Sequence, residues 1–227
     1  MTAPAVTAPA PTPVWHLYRA LVGIGLLCGL LIVSVYVLTR PIIQANRIAA
    51  RQAAVLEVLP AATRSRTFRL ADDETFAPVA VDSLGEGLVF AGFDADGRLV
   101  GVALEAAGQG YADVVRVLYG YSFDQQAVIG IKLLESRETP GLGDRVESDT
   151  GYQANFERLD VALTADGSAL QHPIEFTKNG GKQHPWQIDG ITGATITSRA
   201  IADMLAASTA HWIARVVRRS ADFRPEN

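Results

Sequence analysis

From residue 20 to residue 39 the chain carries no charged side chain and is filled with Leu, Ile, Val and Gly. About 20 such residues in a helix cover the roughly 30 Å of a bilayer's hydrocarbon core, so the stretch is expected to cross a membrane. Trp15 and Tyr18 stand near one end and Tyr36 near the other, where an interfacial belt of aromatics belongs. A cleaved signal peptide is the competing reading. Its apolar core is usually about 7–15 residues long; the run here is longer, and Thr39-Arg40-Pro41-Ile42 offers no small-x-small cleavage site. The expectation is an uncleaved transmembrane helix over residues 15–39.

Residues 1–14, rich in Ala, Pro and Thr, read as a disordered tail. Residues 40–60 place Ile42, Ile43, Ile48, Val55, Leu56 and Leu59 among Ala and Arg. That pattern fits a juxtamembrane helix that continues toward Pro60 and packs on the domain beyond; its arginines also suit a helix lying on the membrane surface. His16 and Arg19 precede the span, whereas Arg40, Arg47 and Arg51 follow it. A plain count of positive residues therefore leaves the large domain in the cytoplasm, although the rule is weak for so short a leading tail.

Residues 61–227 read as one α+β domain. Leu88-Val89-Phe90 and residues 99–104 flank Asp96-Gly97, a two-residue hairpin signal. Residues 114–118 and 128–134 make a second apolar pair around a turn at residues 119–126. Val161-Ala162-Leu163 and Ile174-Glu175-Phe176, around Asp166-Gly167, are expected to add edge strands. From Arg199 onward Ile201, Met204, Leu205, Trp212, Ile213 and Val216 recur at helical spacing, so a C-terminal helix covers one face of an antiparallel sheet.

Several functions are excluded by composition. A net charge of −4 gives no basic face for nucleic acid. The single cysteine, Cys28, lies in the apolar run, so the domain has neither a disulfide nor a thiolate metal site. His172, His184 and His211 share no ligand-like spacing, and no metal site is expected.

The chemistry concentrates in two short strings. In Asp189-Gly190-Ile191-Thr192-Gly193-Ala194-Thr195-Ile196-Thr197-Ser198, Gly193 and Ala194 strip side-chain bulk from the approach to Thr195, leaving its hydroxyl reachable. Thr197 or Ser198 is expected to cap the helix that follows. A helix start has free N–H groups and the positive end of the macrodipole, which favour an anion such as a phosphate. The second string, Glu138-Thr139-Pro140-Gly141-Leu142-Gly143, reads as a tight turn, with Pro presetting one angle and the two Gly permitting unusual ones. Between the strings, residues 178–182 form a cationic loop whose Lys178 or Lys182 is placed to offset a nearby negative charge.

Asp189-x-x-Thr192-Gly193-Ala194-Thr195 resembles the flavinylation motif of the FMN-binding domain family. Residues 138–143 resemble the ETPGLG loop of the G subunit of Rnf-type electron transport complexes and of the related C subunit of the sodium-pumping NADH:quinone reductase. The likeness reaches back through Thr39-Arg40-Pro41-Ile42-Ile43-Gln44-Ala45-Asn46 to the span, and a chain of one span and one flavin domain fits the Rnf G subunit. Thr192 stands where Ser is common in the motif, which keeps the hydroxyl. The resemblance implies an FMN joined through its phosphate to Thr195 by a flavin transferase that uses FAD, with Asp189, Thr192, Gly193 and Ala194 in the recognition motif. It also implies that Glu138, Thr139, Pro140, Gly141, Leu142 and Gly143 shape the flavin pocket, Leu142 against the ring.

On this resemblance the chain is an electron carrier in the inner, cytoplasmic membrane with its flavin domain on the periplasmic side, against the charge count. Its partners are the other proteins of an ion-translocating complex. No residue of its own is needed as acid, base or nucleophile in turnover, and the span holds no carboxylate to carry an ion, so the chain does not pump alone. The alternatives are an FMN-binding electron-transfer subunit of another membrane redox system, or a membrane-anchored structural or assembly subunit without a cofactor.

Overall fold

The computed structural model describes residues 14–83, 85 and 87–225. The tail expected at the amino terminus falls almost entirely outside them. The first element, α1, runs from Val14–Val58 as one helix of 45 residues, with Pro41 inside it. It is the one described helix long and apolar enough to cross a membrane. Pro41 lacks the amide that would bond one turn back. The chain divides into two compact units, one up to Arg47 and the other from Ile48 onward.

The second unit is built on a seven-stranded sheet in which every neighbouring pair is antiparallel. Its strands are β1 (Arg64–Leu70), β2 (Phe76–Pro78), β3 (Leu88–Phe93), β4 (Leu99–Gln109), β5 (Val114–Ser122), β6 (Ala127–Glu135) and β7 (Leu159–Asp160), in the order β2-β1-β3-β4-β5-β6-β7. Both hairpins read from the sequence form, and the second is longer than expected because β5 runs on to Ser122.

The central strands are apolar at nearly every position because both faces of the sheet are covered. On one face Val89, Ala91, Val102, Leu104, Val117 and Tyr119 pack with Ile201, Leu205, Ile213 and Val216 of the helix α4 (Thr195–Arg218). On the other, Leu88, Phe90, Ala103 and Leu118 pack with Ala54, Val55, Val58 and Leu59, the end of α1 and the residue after it. The period of two along each strand sorts these sets to opposite faces.

Four glycines, one on each of the four central strands, make room for that chain end. A Cβ on Gly120 would lie 2.1 Å from the Val58 carbonyl oxygen, and one on Gly130 would lie 3.0 Å from the Val58 Cα; Gly92 and Gly101 would strike the Leu59 side chain at 2.7 and 2.8 Å. Gly120→Ala is therefore expected to destabilise the domain by about 1–3 kcal/mol through overpacking. In a domain of this size that is a fall of several degrees in Tm, checked by thermal unfolding of the detergent-solubilised chain.

The expected edge strands differ from what forms. Only a single bridge, Leu163 to Leu170, closes the loop around Asp166-Gly167. Leu159–Asp160 pairs with β6 instead, and β8 (Glu175–Thr177) leaves the sheet to pair in parallel with β9 (Gln187–Asp189). The Asp166 side chain, accepting from Thr164 and Ser168, winds this segment into a turn rather than a hairpin. Two short helices, α2 (Arg145–Ser148) and α3 (Thr150–Gln153), connect β6 to β7. Strands β1 and β2, which precede the first hairpin read from the sequence, lengthen the sheet beyond β3.

Candidate functional site

The two strings read from the sequence fold into turns of the same kind. In the first, the Leu142 amide bonds the Thr139 carbonyl at 3.1 Å with Gly141 at φ +78° in the third position. In the second, the Ala194 amide bonds the Ile191 carbonyl at 3.1 Å with Gly193 at φ +91°. A positive φ at the third place of a turn is the reason for glycine there.

Side chains fasten the two turns together. Glu138 Oε2 accepts from the Thr197 hydroxyl at 2.6 Å, and Arg145 Nη1 donates to the Thr192 carbonyl at 2.8 Å. Glu138 Oε1 accepts from the Ala112 amide at 3.1 Å, which brings in the loop between β4 and β5. Glu138 is only 7% exposed. Burial acts to raise its pKa, but the Thr197 hydroxyl and then the amides of Ala112, Asp113 and Tyr111 outweigh burial and hold it below the ordinary glutamate value. Gly143 is needed in this packing, since a Cβ there would lie 2.1 Å from Glu138 Oε2 and 2.8 Å from Thr197 Oγ1.

Between the turns lies a cavity of about 270 Å³ lined by Tyr111, Leu142, Gly143, Gly193, Ala194, Thr195, Ile196 and Thr197. Thr139, Pro140 and Gly141 form the exposed rim of the first turn. Thr195 is the first residue of α4, and the N–H groups of that first turn point out of the helix toward this end. The expectation that Thr197 or Ser198 caps α4 is overturned: Ala194 occupies the cap position without a side-chain bond. Thr197 is drawn to Glu138, and the Ser198 hydroxyl bonds back to the Ala194 carbonyl at 2.9 Å, the local pairing that draws a helical serine to its own backbone.

The four hydroxyls of the string thus have distinct fates. Those of Thr197 and Ser198 are buried, and Thr192 Oγ1 accepts from Asn179 Nδ2 at 3.0 Å. Thr195 is exposed, and its hydroxyl makes only a long bond, 3.3 Å, to the Ile191 carbonyl. A peptide carbonyl does not act as a base, so nothing bonded to this hydroxyl would take its proton.

Asp189, at the end of β9, faces the 178–182 loop. Its carboxylate accepts from the amides of Gly180 and Gly181 at 2.8 and 3.1 Å and from the Thr177 hydroxyl at 3.3 Å. The loop so held reaches Thr192 through Asn179. Lys182 turns to Asn155 Oδ1 at 3.1 Å; burial lowers its pKa, against the pull of Asp189. Tyr111, Arg145 and Asn155 were missed in the sequence because each acts on residues distant along the chain: Tyr111 lines the cavity from the loop between β4 and β5, Arg145 of α2 reaches the Thr192 carbonyl, and Asn155, just after α3, bonds the backbone N–H and C=O of Asp189.

Residues 110–209 match the FMN-binding domain family. The chain is 30% identical over 187 residues to the G subunit of the ion-translocating oxidoreductase complex of Methanosarcina acetivorans, covering 82% of this chain and 87% of that protein. It is 30% identical over 190 residues to the corresponding G subunit of Pasteurella multocida, covering 80% and 85%. The fold matches that of NqrC from Shewanella oneidensis with a TM-score of 0.63 at 18% identity, covering 78% of this chain and 99% of the other. With turns, cavity and sheet arranged in this way and relatives alike along most of their length, the chain belongs to the family of G subunits of ion-translocating oxidoreductase complexes.

Proposed function

We propose that this chain is a membrane-anchored electron carrier of an Rnf-type ion-translocating complex, with FMN ester-linked through its phosphate to Thr195. The observation that carries the reading is the exposure of the Thr195 hydroxyl at the start of α4, beside a cavity that both glycine turns line. The residues present fit the group. The α4 N–H groups suit the phosphate, and Tyr111, Leu142 and Ile196 offer apolar surface to the ring. When bound, FMN supplies one- and two-electron chemistry.

The chain's own residues position and fasten. Glu138 and Arg145 hold the two turns in register, Asp189 holds the adjoining loop, and Thr195 presents an oxygen. The ester is made by a separate flavin transferase, as the resemblance of residues 189–195 to a flavinylation motif implies; the one partner bonded to the Thr195 hydroxyl, the Ile191 carbonyl, is no base. Asp189, Thr192, Gly193 and Ala194 form the stretch that this enzyme reads, and Glu138 to Gly143 complete the pocket. Helix α1 anchors the chain in the inner membrane with the domain on the periplasmic side, and the other proteins of the complex give and take the electrons. A bonded cofactor is not lost by dilution, whereas a free one would depend on its dissociation constant.

Mass spectrometry of the intact chain, produced together with a flavin transferase, tests the reading. The expected result is an added mass of one FMN less water, on the peptide that holds Thr195. An unmodified, colourless chain under those conditions would sink it and favour a structural or assembly role.

A further inference from the structure

A second hollow adjoins the first. Of about 350 Å³, it lies between the end of β4 and α4, lined by Ala107, Gly108, Gln109, Ile196, Arg199, Ala200, Asp203 and Met204. Ile196 lines both hollows and is 56% exposed. The bare Gly108 leaves Met204 close against β4, since a Cβ there would lie 3.1 Å from the Met204 Cε. Arg199 sits one helical turn beyond Thr195, about 6 Å along the axis, and its guanidinium lies 4.4 Å from the centroid of the Phe176 ring, which steadies it.

We propose that this groove receives the pyrimidine edge of the flavin ring and that Arg199 is the charged residue that favours its reduced form. The inference rests on the attachment of FMN at Thr195. Ile196, the residue directly after Thr195, lines both hollows, so the groove adjoins the attachment point. The Gln109 amide, a donor and an acceptor, matches the C2=O and N3–H groups of that edge. Taking up two electrons from a partner carrier and one proton at N5 leaves the ring an anion, with its charge on the N1 and C2=O side. A guanidinium there lowers the energy of that anion more than that of the neutral oxidised ring, which is what raises the tendency to be reduced. Asp203, one turn further along the same groove, acts in the opposite sense.

The test is a redox titration of the full flavinylated chain in detergent, with dithionite as reductant and the FMN content of each variant verified by intact mass. At a fixed potential near the wild-type midpoint, Arg199→Gln is expected to lower the ratio of reduced to oxidised flavin on the order of tenfold. Arg199→Lys keeps the charge and should recover most of the loss, and the gap between Gln and wild type should narrow in 1 M salt. A merely structural arginine would show neither the recovery nor the salt dependence. A fully loaded Arg199→Gln protein with an unchanged ratio would overturn the inference while leaving the attachment at Thr195 intact. Wild-type protein without FMN at Thr195 would instead overturn the reading beneath it. Should Arg199→Gln accept no flavin, Asp203→Asn carries the test: its ratio must rise, and an unchanged ratio overturns the proposal.

Discussion

Thr195→Ala, produced alongside a flavin transferase, is expected to yield a chain with no attached flavin: no yellow fluorescence after denaturation, and an intact mass equal to the bare polypeptide. The loss should be complete, because the other hydroxyls in the string are engaged. Thr197 is bound to the Glu138 carboxylate and Ser198 to the Ala194 carbonyl, both buried, and Thr192 takes a hydrogen bond from Asn179. Thr195→Ser, which keeps the oxygen, should retain the modification, and Thr192→Ala should retain at least part of it. Fluorescence that persists on Thr195→Ala would move the attachment point elsewhere.

Glu138→Gln is expected to have the largest effect on stability of any side-chain change in the site. The carboxylate accepts from two directions at once, the Thr197 hydroxyl and the Ala112 amide. A carboxamide of the same shape has one accepting oxygen, so one donor loses its partner in a nearly dry place, at about 1–3 kcal/mol. The same substitution should change the acid limb of the stability curve. The pKa of Glu138 is lowered in the folded chain, so its contribution is fully present above the ordinary glutamate value, 4.5, and is lost as pH falls through the lower folded value. Wild type should therefore lose more stability than Glu138→Gln on going from pH 7 to below about pH 4, while both stay flat between pH 7 and pH 5.5 as far as this group is concerned. Thermal melts of both proteins at the two ends of that range check the difference. Equal acid losses would mean that the carboxylate does not hold the turns.

The readable parts of this fold are those that a local pattern determines. The apolar run of α1, the hairpin at Asp96-Gly97 and the spacing of Ile201, Leu205 and Ile213 each carry their structure within a few residues, and each forms. The meeting of residues 138–143 with residues 192–195 around one cavity depends on two turns far apart in sequence, and a resemblance was needed to anticipate it. Thr197 shows why local rules fail: a threonine at a helix start is a good cap, but a buried carboxylate 59 residues earlier competes for its hydroxyl and wins. The pairing of β8 with β9 was illegible for a related reason. A parallel pair of three residues each has no turn to announce it, and Asp189 secures it by bonding amides across the intervening loop. Strand β1, with arginines at three of its seven positions, hides its inward residues Thr67 and Phe68 behind a polar composition.

The stretch from Ile48 to Leu59 that seals the glycine furrow has a further bearing on how such a protein can be handled and turned over. A protease that severed the chain just before Pro60 would not release an intact domain from α1; it would strip off one layer of the domain and expose Phe90, Ala103 and Leu118 to water. Shedding and unfolding are thereby made the same event, and a freed flavin domain with stray redox activity is not among the products.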